Sequence, residues 1–239
     1  MILAVLQARM SSSRLPGKVM LPLAGAPMLI RQCERVARSK RIDRLVVATS
    51  DEASDDPLAE AAARYGLNVY RGSLDNVQAR FIGALEAFGP ADHVVRLTGD
   101  CPLIDPALID TCIDEHLRAR ADYTTNTPAD AAFAKGLDVE VMTAPALRRA
   151  AAMATSSEER EHVTWIFHTR PDLWRDAAVR PPVDESEVRW TVDRPDDYAF
   201  VRQVFDTLLP ANPAFTSDDV RAFVRGRADL AAWGGDRRL

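Results

Sequence analysis

Cysteine is scarce: Cys33, Cys101 and Cys112 are the only three in 239 residues, and no two stand at C-x-x-C spacing. An odd, unpatterned set excludes a disulfide framework and a cysteine-based zinc site, and fits structural thiols in a reducing cytoplasm. Long apolar runs are also missing, since none approaches the ~20 residues that cross a bilayer. Met1 leads directly into a short apolar segment without a basic leader, so neither a signal nor an anchor is expected. Excess positive charge is absent. The 30 Lys and Arg face 35 Asp and Glu, and a net charge of −5 excludes a general nucleic-acid binder. No internal repeat, heptad run or Walker A loop of the form G-x-x-x-x-G-K-[ST] occurs. What remains, 47% hydrophobic and 27% charged residues in 26.4 kDa, suits one α/β domain with an elaboration.

Ile2–Lys18 (ILAVLQARMSSSRLPGK) organises the rest. Ile2–Leu6 is a short apolar run that reads as a buried strand. It breaks into Gln7-Ala8-Arg9-Met10, a serine triplet, and Arg14-Leu15-Pro16-Gly17-Lys18. Loops at strand ends are where open α/β sheets bind ligands. Three cations, Arg9, Arg14 and Lys18, among small and hydroxyl residues suit a polyanion, with backbone N–H groups and the Ser12 and Ser13 hydroxyls meeting phosphate oxygens.

The chain then alternates. Pro27 starts a helix with Leu29, Ile30, Cys33, Val36 and Ala37 on one face. Leu45–Ala48 is a second strand, and Asp55 or Asp56 caps a helix that stops at Tyr65-Gly66. Val69-Tyr70 is a third strand, Val77–Phe88 a helix closed by Gly89, and His93–Leu97 a fourth strand ending at Thr98-Gly99-Asp100. Asp105-Pro106 opens a helix that turns Leu108, Ile109, Cys112, Ile113 and Leu117 inward. This alternation predicts a Rossmann-like, mostly parallel sheet. Beyond Tyr123 the pattern changes. Asp138–Met142 alternates as a strand, Ser157–His168 reads as a helix and Val188–Val192 as a further strand, before two closing helices. Residues 124–187 are expected as an inserted lobe over the sheet, within one domain of residues 1–233, and 234–239 as a loose tail.

Asp100 and Asp193 each follow an apolar strand. Two carboxylates from separate strands can converge on Mg²⁺, which takes one or two carboxylates plus phosphates and water. Asp193 reads equally well as a cap for the helix that starts at Pro195.

Gln7–Lys18, followed by Leu21-Pro22-Leu23-Ala24-Gly25-Ala26-Pro27-Met28-Leu29, resembles the opening of the cytidylyltransferases that activate acidic sugars. These include the acylneuraminate and 3-deoxy-manno-octulosonate cytidylyltransferases, and the resemblance is strongest to the bacterial spore-coat-polysaccharide F-type branch. Separate motifs agree in order to about Phe205. The resemblance implies a nucleotide-diphospho-sugar-transferase fold, and it tips Asp193, with Asp100, towards holding magnesium. It places Gln7, Ala8, Arg9, Ser12, Ser13, Arg14, Lys18, Arg71, Gly72, Ser73 and Asp100 at the nucleotide, with the 71–73 turn beside cytosine. Ser73 also suits the cap of the next helix. Asn126, Asp138 and Glu140 resemble the sugar-side motifs. Glu159-Arg160-Glu161-His162 matches the branch too, with His162 read as a structural or dimer contact. Two positions depart: Ser11 stands where the branch usually has glycine, and Ala134-Lys135 where it often has Pro-Arg, so a bidentate fork is lost.

The implied reaction is attack of a sugar's anomeric hydroxyl on the α-phosphorus of CTP, with pyrophosphate leaving, in a cytoplasmic homodimer with Mg²⁺. Arg9, Lys18, Asp100 and Asp193 carry the catalysis, largely by positioning and electrostatics. Two other readings are a metal-dependent glycosyltransferase, for which no D-x-D stands at a strand end, and a non-catalytic nucleotide- or sugar-binding partner.

Overall fold

Leu3–Leu6 are fully buried because their strand is covered on both faces, as the computed structural model, which describes residues 1–239, makes visible. The strands are β1 (Ile2–Gln7), a small hairpin of β2 (Pro22–Leu23) and β3 (Ala26–Pro27), β4 (Arg44–Ser50), β5 (Asn68–Gly72), β6 (His93–Thr98), β7 (Tyr123–Thr125), β8 (Glu140–Thr143) and β9 (Asp176–Ala178). Seven form one sheet in the order β5-β4-β1-β6-β8-β7-β9. Only β8 runs against the others.

The helices are α1 (Met28–Val36), α2 (Asp56–Arg64), α3 (Val77–Phe88), α4 (Pro106–Ala119), α5 (Ala144–Met153), α6 (Ser157–Glu161), α7 (Trp165–Thr169), α8 (Pro195–Ala211), α9 (Ser217–Arg225) and α10 (Ala228–Ala231). Strand alternation sorts the core into two layers. Ala4, Leu6, Val95 and Leu97 join Leu29, Ile109, Phe200 and Val220 from α1, α4, α8 and α9. Leu3, Val5 and Val94 join Phe81, Leu147 and Phe167 from α3, α5 and α7. Each fully buried large apolar side chain contributes roughly 1.5–3 kcal/mol.

The chain winds from β1 outward through β4 to β5, then returns to place β6 on the other side of β1. The winding therefore reverses between β1 and β6, and the crevice beyond their carboxyl ends is where such sheets bind ligands.

Several sequence expectations are corrected. Residues 124–187 cover one face of the sheet with α5 and α7, but they also extend it, supplying β8, β9 and part of β7 to its edge. The helix expected over Ser157–His168 is two short ones, α6 and α7, parted at His162–Thr164. Val188–Val192 is no strand of the sheet: its one ladder contact is an isolated bridge of Arg189 to Lys135. Leu117 faces solvent, because the buried stripe of α4 ends on His116. The C-terminal residues are packed. Arg238 is fully buried and donates to Asp197 at 3.0 Å and to the Arg189 carbonyl at 2.7 Å.

Candidate active site

The two strand ends meet closely. Gln7 pairs with Thr98, and the Gly99 amide donates to the Gln7 carbonyl at 2.8 Å. A Cβ on Gly99 would lie 2.9 Å from that of Ala8, so only glycine lets the loops after β1 and β6 pack this tightly. Beyond Ala8 the chain folds back on Met10, whose carbonyl accepts from both Ser12 and Gly17 amides at 2.9 Å. Gly17 takes φ +70° to close this turn and deliver Lys18 inward. The Met10 amide donates to Asp55 at 2.7 Å. Asp55 also accepts from the Thr49 and Ser50 hydroxyls and the Ser50 amide, tying the loop to the end of β4. Burial opposes ionisation of Asp55, but the Ser50, Met10 and Thr49 donors outweigh it and hold the carboxyl below its usual range.

On the opposite wall the Lys18 ammonium is buried and uses all three donors. It reaches the Val192 carbonyl at 2.7 Å, Asp193 at 3.0 Å and Asp100 at 3.2 Å. The Val192 amide in turn donates to the Asp100 carbonyl at 2.8 Å, which draws the two aspartates together. Arg14 pairs with Asp193 at 3.0 Å, and Arg189 donates to its other oxygen at 2.7 Å. Burial works against ionisation of Asp193, yet donation by Lys18 and Arg189 holds its carboxyl below the usual range. Behind it, Asp197 is fully buried and accepts from Arg189, Arg238 and the amides of Asp193 and Arg194. Despite burial, those donors hold Asp197 well below an ordinary carboxyl.

Between the walls lies a cleft of about 330 Å³. Cations Arg9, Arg14, Lys18 and Arg80 line it with the anions Asp100, Glu161 and Asp193. The donor set fits a hard divalent ion. Asp100 and Asp193 already share one cation, and no third His, Cys, Asp or Glu joins them, which leaves phosphate and water to complete the shell.

This geometry agrees with what the chain is similar to. Residues 3–203 match the family model described as Cytidylyltransferase. The chain belongs to the cytidylyltransferase family. Among individual proteins, it is 36% identical over 213 residues to the spore coat polysaccharide biosynthesis protein SpsF of Bacillus subtilis (strain 168), covering 85% of this chain and 86% of SpsF. A cytidylyltransferase structure from Leptospira borgpetersenii serovar Hardjo-bovis superposes with a TM-score of 0.90 at 31% identity, over 96% of this chain and 95% of that one. CMP:2-keto-3-deoxy-manno-octonic acid synthetase, solved in complex with CTP, shares the fold with a TM-score of 0.64 at 19% identity, over 87% and 99% of the two chains. Membership makes the protein a nucleotidyltransferase and sets aside the glycosyltransferase and non-catalytic readings.

In this cytidylyltransferase the cleft gathers Gln7, Ala8, Arg9, Ser12, Ser13, Arg14, Lys18, Asp100 and Asp193. It does not gather Arg71, Gly72 or Ser73. The Arg71 guanidinium donates to the Ser50 and Glu52 carbonyls at 2.9 Å each and pairs with Asp56 at 2.7 Å. Gly72 packs against Tyr70, and Ser73 is not the cap, since Asn76 accepts from Ala79 while Ser73 accepts from Asn76. Nor does Asp193 cap α8. Arg194 holds that position, and Asp197 closes it by accepting from the Arg194 amide.

The three sugar-side candidates lie behind the cleft wall. Asn126 is fully buried and clamps the backbone of Leu137 and Val139 at 2.7 Å each. Glu140 is buried against Arg96 and the Tyr123 hydroxyl; burial disfavours its charge, but Arg96 prevails and sets it at about 2. Burial pushes the Asp138 carboxyl up to about 6, against one 3.3 Å bond from the Gly136 amide. The motif around them shapes the Asp193 segment. Gly136, at φ +109°, lies so near Thr191 that a Cβ would come within 2.5 Å of its nitrogen. Of the two departures, Ser11 is exposed with no left-handed backbone, and Lys135 contributes backbone bonds to Val188, Trp190 and Thr191. Seven cleft residues were not assigned to the ligand from sequence: Val19, Val77, Arg80, Thr98, Gly99, Glu161 and His162. Arg80 had one signal, a charge at i+3 from Val77 on the face of α3 that is otherwise apolar.

Proposed function

We propose that this cytidylyltransferase transfers the cytidylyl group of CTP to the anomeric hydroxyl of an acidic sugar, releasing pyrophosphate, for surface polysaccharide synthesis. The observation that carries the reading is the Lys18 ammonium lodged between Asp100 and Asp193 at the mouth of β1 and β6. Asp100 and Asp193 would hold Mg²⁺, which when bound supplies Lewis-acid polarisation of phosphate oxygens and charge neutralisation. Arg9, Arg14 and Lys18 pair with triphosphate oxygens and stabilise the charge that builds on the departing pyrophosphate. In the free protein Lys18 and Arg14 neutralise the aspartates, so both cations are stored beside the place where phosphate would lie. Asp193, held below its usual range, is a poor proton acceptor and serves to hold charge. The Met10 turn, pinned by Asp55, keeps the amides and hydroxyls of residues 11–13 at the cleft edge.

The same reading includes a cytoplasmic homodimer. Three free, buried cysteines favour the reducing compartment, and no helix is long and apolar enough to cross a membrane. Trp165 and Val183, exposed on the sheet-edge extension, favour self-association. Pyrophosphate release with each of four nucleoside triphosphates against a panel of acidic and neutral sugars tests the function. CTP with an acidic sugar should give the highest rate; a preference for another nucleotide or for neutral sugars would refute it. Sedimentation of the purified protein tests the dimer.

A further inference from the structure

Glu140, behind the cleft wall, belongs to a buried polar row that ends in the cleft. By the two-residue period of a strand, Gln7 and Arg96 share the sheet face of Leu3, Val5 and Val94, and Glu140 shares it with Met142. Register sets Arg96 beside Val5 of β1 on one side and beside Glu140 of β8 on the other. Its guanidinium meets both neighbouring strands: Nε donates to Gln7 Oε1 at 3.2 Å, and Nη1 donates to Glu140 Oε2. Glu140 Oε1 accepts from the Tyr123 hydroxyl of β7, and His168 of α7 lies 3.5 Å from the same oxygen. At the other end of the row, Gln7 lines the cleft.

A buried ion pair such as Arg96–Glu140 adds little to stability over apolar side chains of the same shape. What it fixes here is direction. A guanidinium has donors only, so Gln7 must present its carbonyl oxygen to Arg96, and the amide cannot turn round. Glu140 holds the other arm of the guanidinium and so keeps Nε on Gln7. The Gln7 NH₂ bonds no protein group. It therefore offers the cleft donors and no acceptor, which suits an oxygen of the substrate.

The lean of the side chain indicates which substrate. Gln7 is drawn towards β6 and β8, away from β4 and β5 on the other side of β1. The Lys18–Asp100–Asp193 cluster, where phosphate and metal would lie, stands by Val192, which packs in the opposite core layer. We propose that Gln7 binds the acceptor sugar by donating its amide to a carboxylate or hydroxyl oxygen, and that Arg96 and Glu140 are positioning residues that lock the amide in that orientation. The inference rests on the transfer to an acidic sugar proposed above, and it moves Gln7 from the nucleotide to the sugar.

Initial rates with CTP and the sugar varied separately test this, the acceptor being the acidic sugar that the wild type turns over fastest. The variants are Gln7→Glu, Gln7→Ala, Arg96→Lys, Glu140→Gln and the double variant Gln7→Ala with Arg96→Lys, each shown to be folded by far-UV dichroism and melting. Gln7→Glu keeps an oxygen on Arg96 and loses the donors. It should melt no lower than the wild type, yet raise the KM for the sugar about tenfold or more and that for CTP less than threefold. Arg96→Lys keeps a charge for Glu140 but frees Gln7, so it should raise the KM for the sugar about threefold or more in the wild-type background and leave it unchanged in Gln7→Ala. Glu140→Gln should follow Arg96→Lys. An equal effect of Arg96→Lys in both backgrounds would make Arg96 merely structural and overturn the proposal. A KM for CTP that rises as much as that for the sugar in Gln7→Glu would return Gln7 to the nucleotide and overturn it as well. A wild type that turns over no acidic sugar with CTP would refute the underlying reading, and this proposal with it.

Discussion

Lys18 shows how one residue serves two states. The residue is 7% exposed, and its ammonium is the counter-charge shared by Asp100 and Asp193. Removing one partner of a buried ionic group leaves the others uncompensated, a loss of about 3–5 kcal/mol where burial is complete. Asp100 is partly exposed, so the loss here is smaller. Lys18→Ala should therefore melt below the wild type in the absence of divalent ions, and Mg²⁺ should raise its melting temperature more than it raises that of the wild type. Equal Mg²⁺ shifts in both proteins would contradict the convergence of the two carboxylates on one cation site. CTP affinity should fall in the same variant. The place of Lys18 in the cleft was legible because G-K at the end of a basic, serine-rich strand loop has few other uses. That of Arg80 was not, because one arginine on an amphipathic helix looks the same whether it snorkels to solvent or turns into a cleft.

At the scale of elements, the loop after β1 is held by a residue of another element. Asp55, fully buried before α2, accepts from the Met10 amide and from both hydroxyls at the end of β4. Asp55→Ala leaves those donors unsatisfied at about 1–3 kcal/mol each at most. Its expected signature is a raised KM for the nucleotide with a smaller change in kcat, together with a lower melting temperature. A lowered melting temperature with unchanged KM would mean that the loop keeps its shape without this anchor. Sequence assigned Asp55 or Asp56 to a helix cap, and Asp55 does stand at the cap position of α2, but its side chain bonds Met10, Thr49 and Ser50 instead of the helix, because a side chain's direction is decided by tertiary donors. The same limit explains other misses. Val188–Val192 has strand-like residues, yet its backbone bonds go to Lys135, Asp100 and Arg237 instead of a neighbouring strand. β1 and β4 were legible for the opposite reason: buried on both faces, they read as continuous apolar runs.

For the molecule as a whole, acid stability follows from groups that bind fewer protons folded than unfolded. His116 is buried between His93 at 3.1 Å and Thr124 at 2.9 Å, and burial, with the His93 charge, lowers it from 6.5 to about 4. Glu140, despite burial, is lowered from 4.5 to about 2 by Arg96. Both values lie below those of the unfolded chain, so both contributions are fully present above the unfolded pKa and are lost as pH falls. The His116 contribution, up to roughly 3 kcal/mol, disappears between pH 6.5 and 4, and that of Glu140 between 4.5 and 2. Urea midpoints measured against pH should show His116→Gln flattening only the first limb; a limb identical to the wild type would contradict a neutral, buried His116. The C-terminus belongs to this scale too. Its arginines and glycines read as a loose tail, but Arg238 closes over Asp197, whose amide contacts set the backbone of Asp193. A buried pair so far apart in sequence leaves no local pattern.

The fate of the α-phosphorus bears most directly on the account. With CTP labelled at that atom, Mg²⁺ and an accepting acidic sugar, the label should appear in a nucleotide sugar, and pyrophosphate should form in equal amount. Asp100→Asn and Asp193→Asn should each abolish both products to the same degree. Label recovered as free CMP or CDP, or transfer that survives both substitutions, would contradict cytidylyl transfer at this cleft.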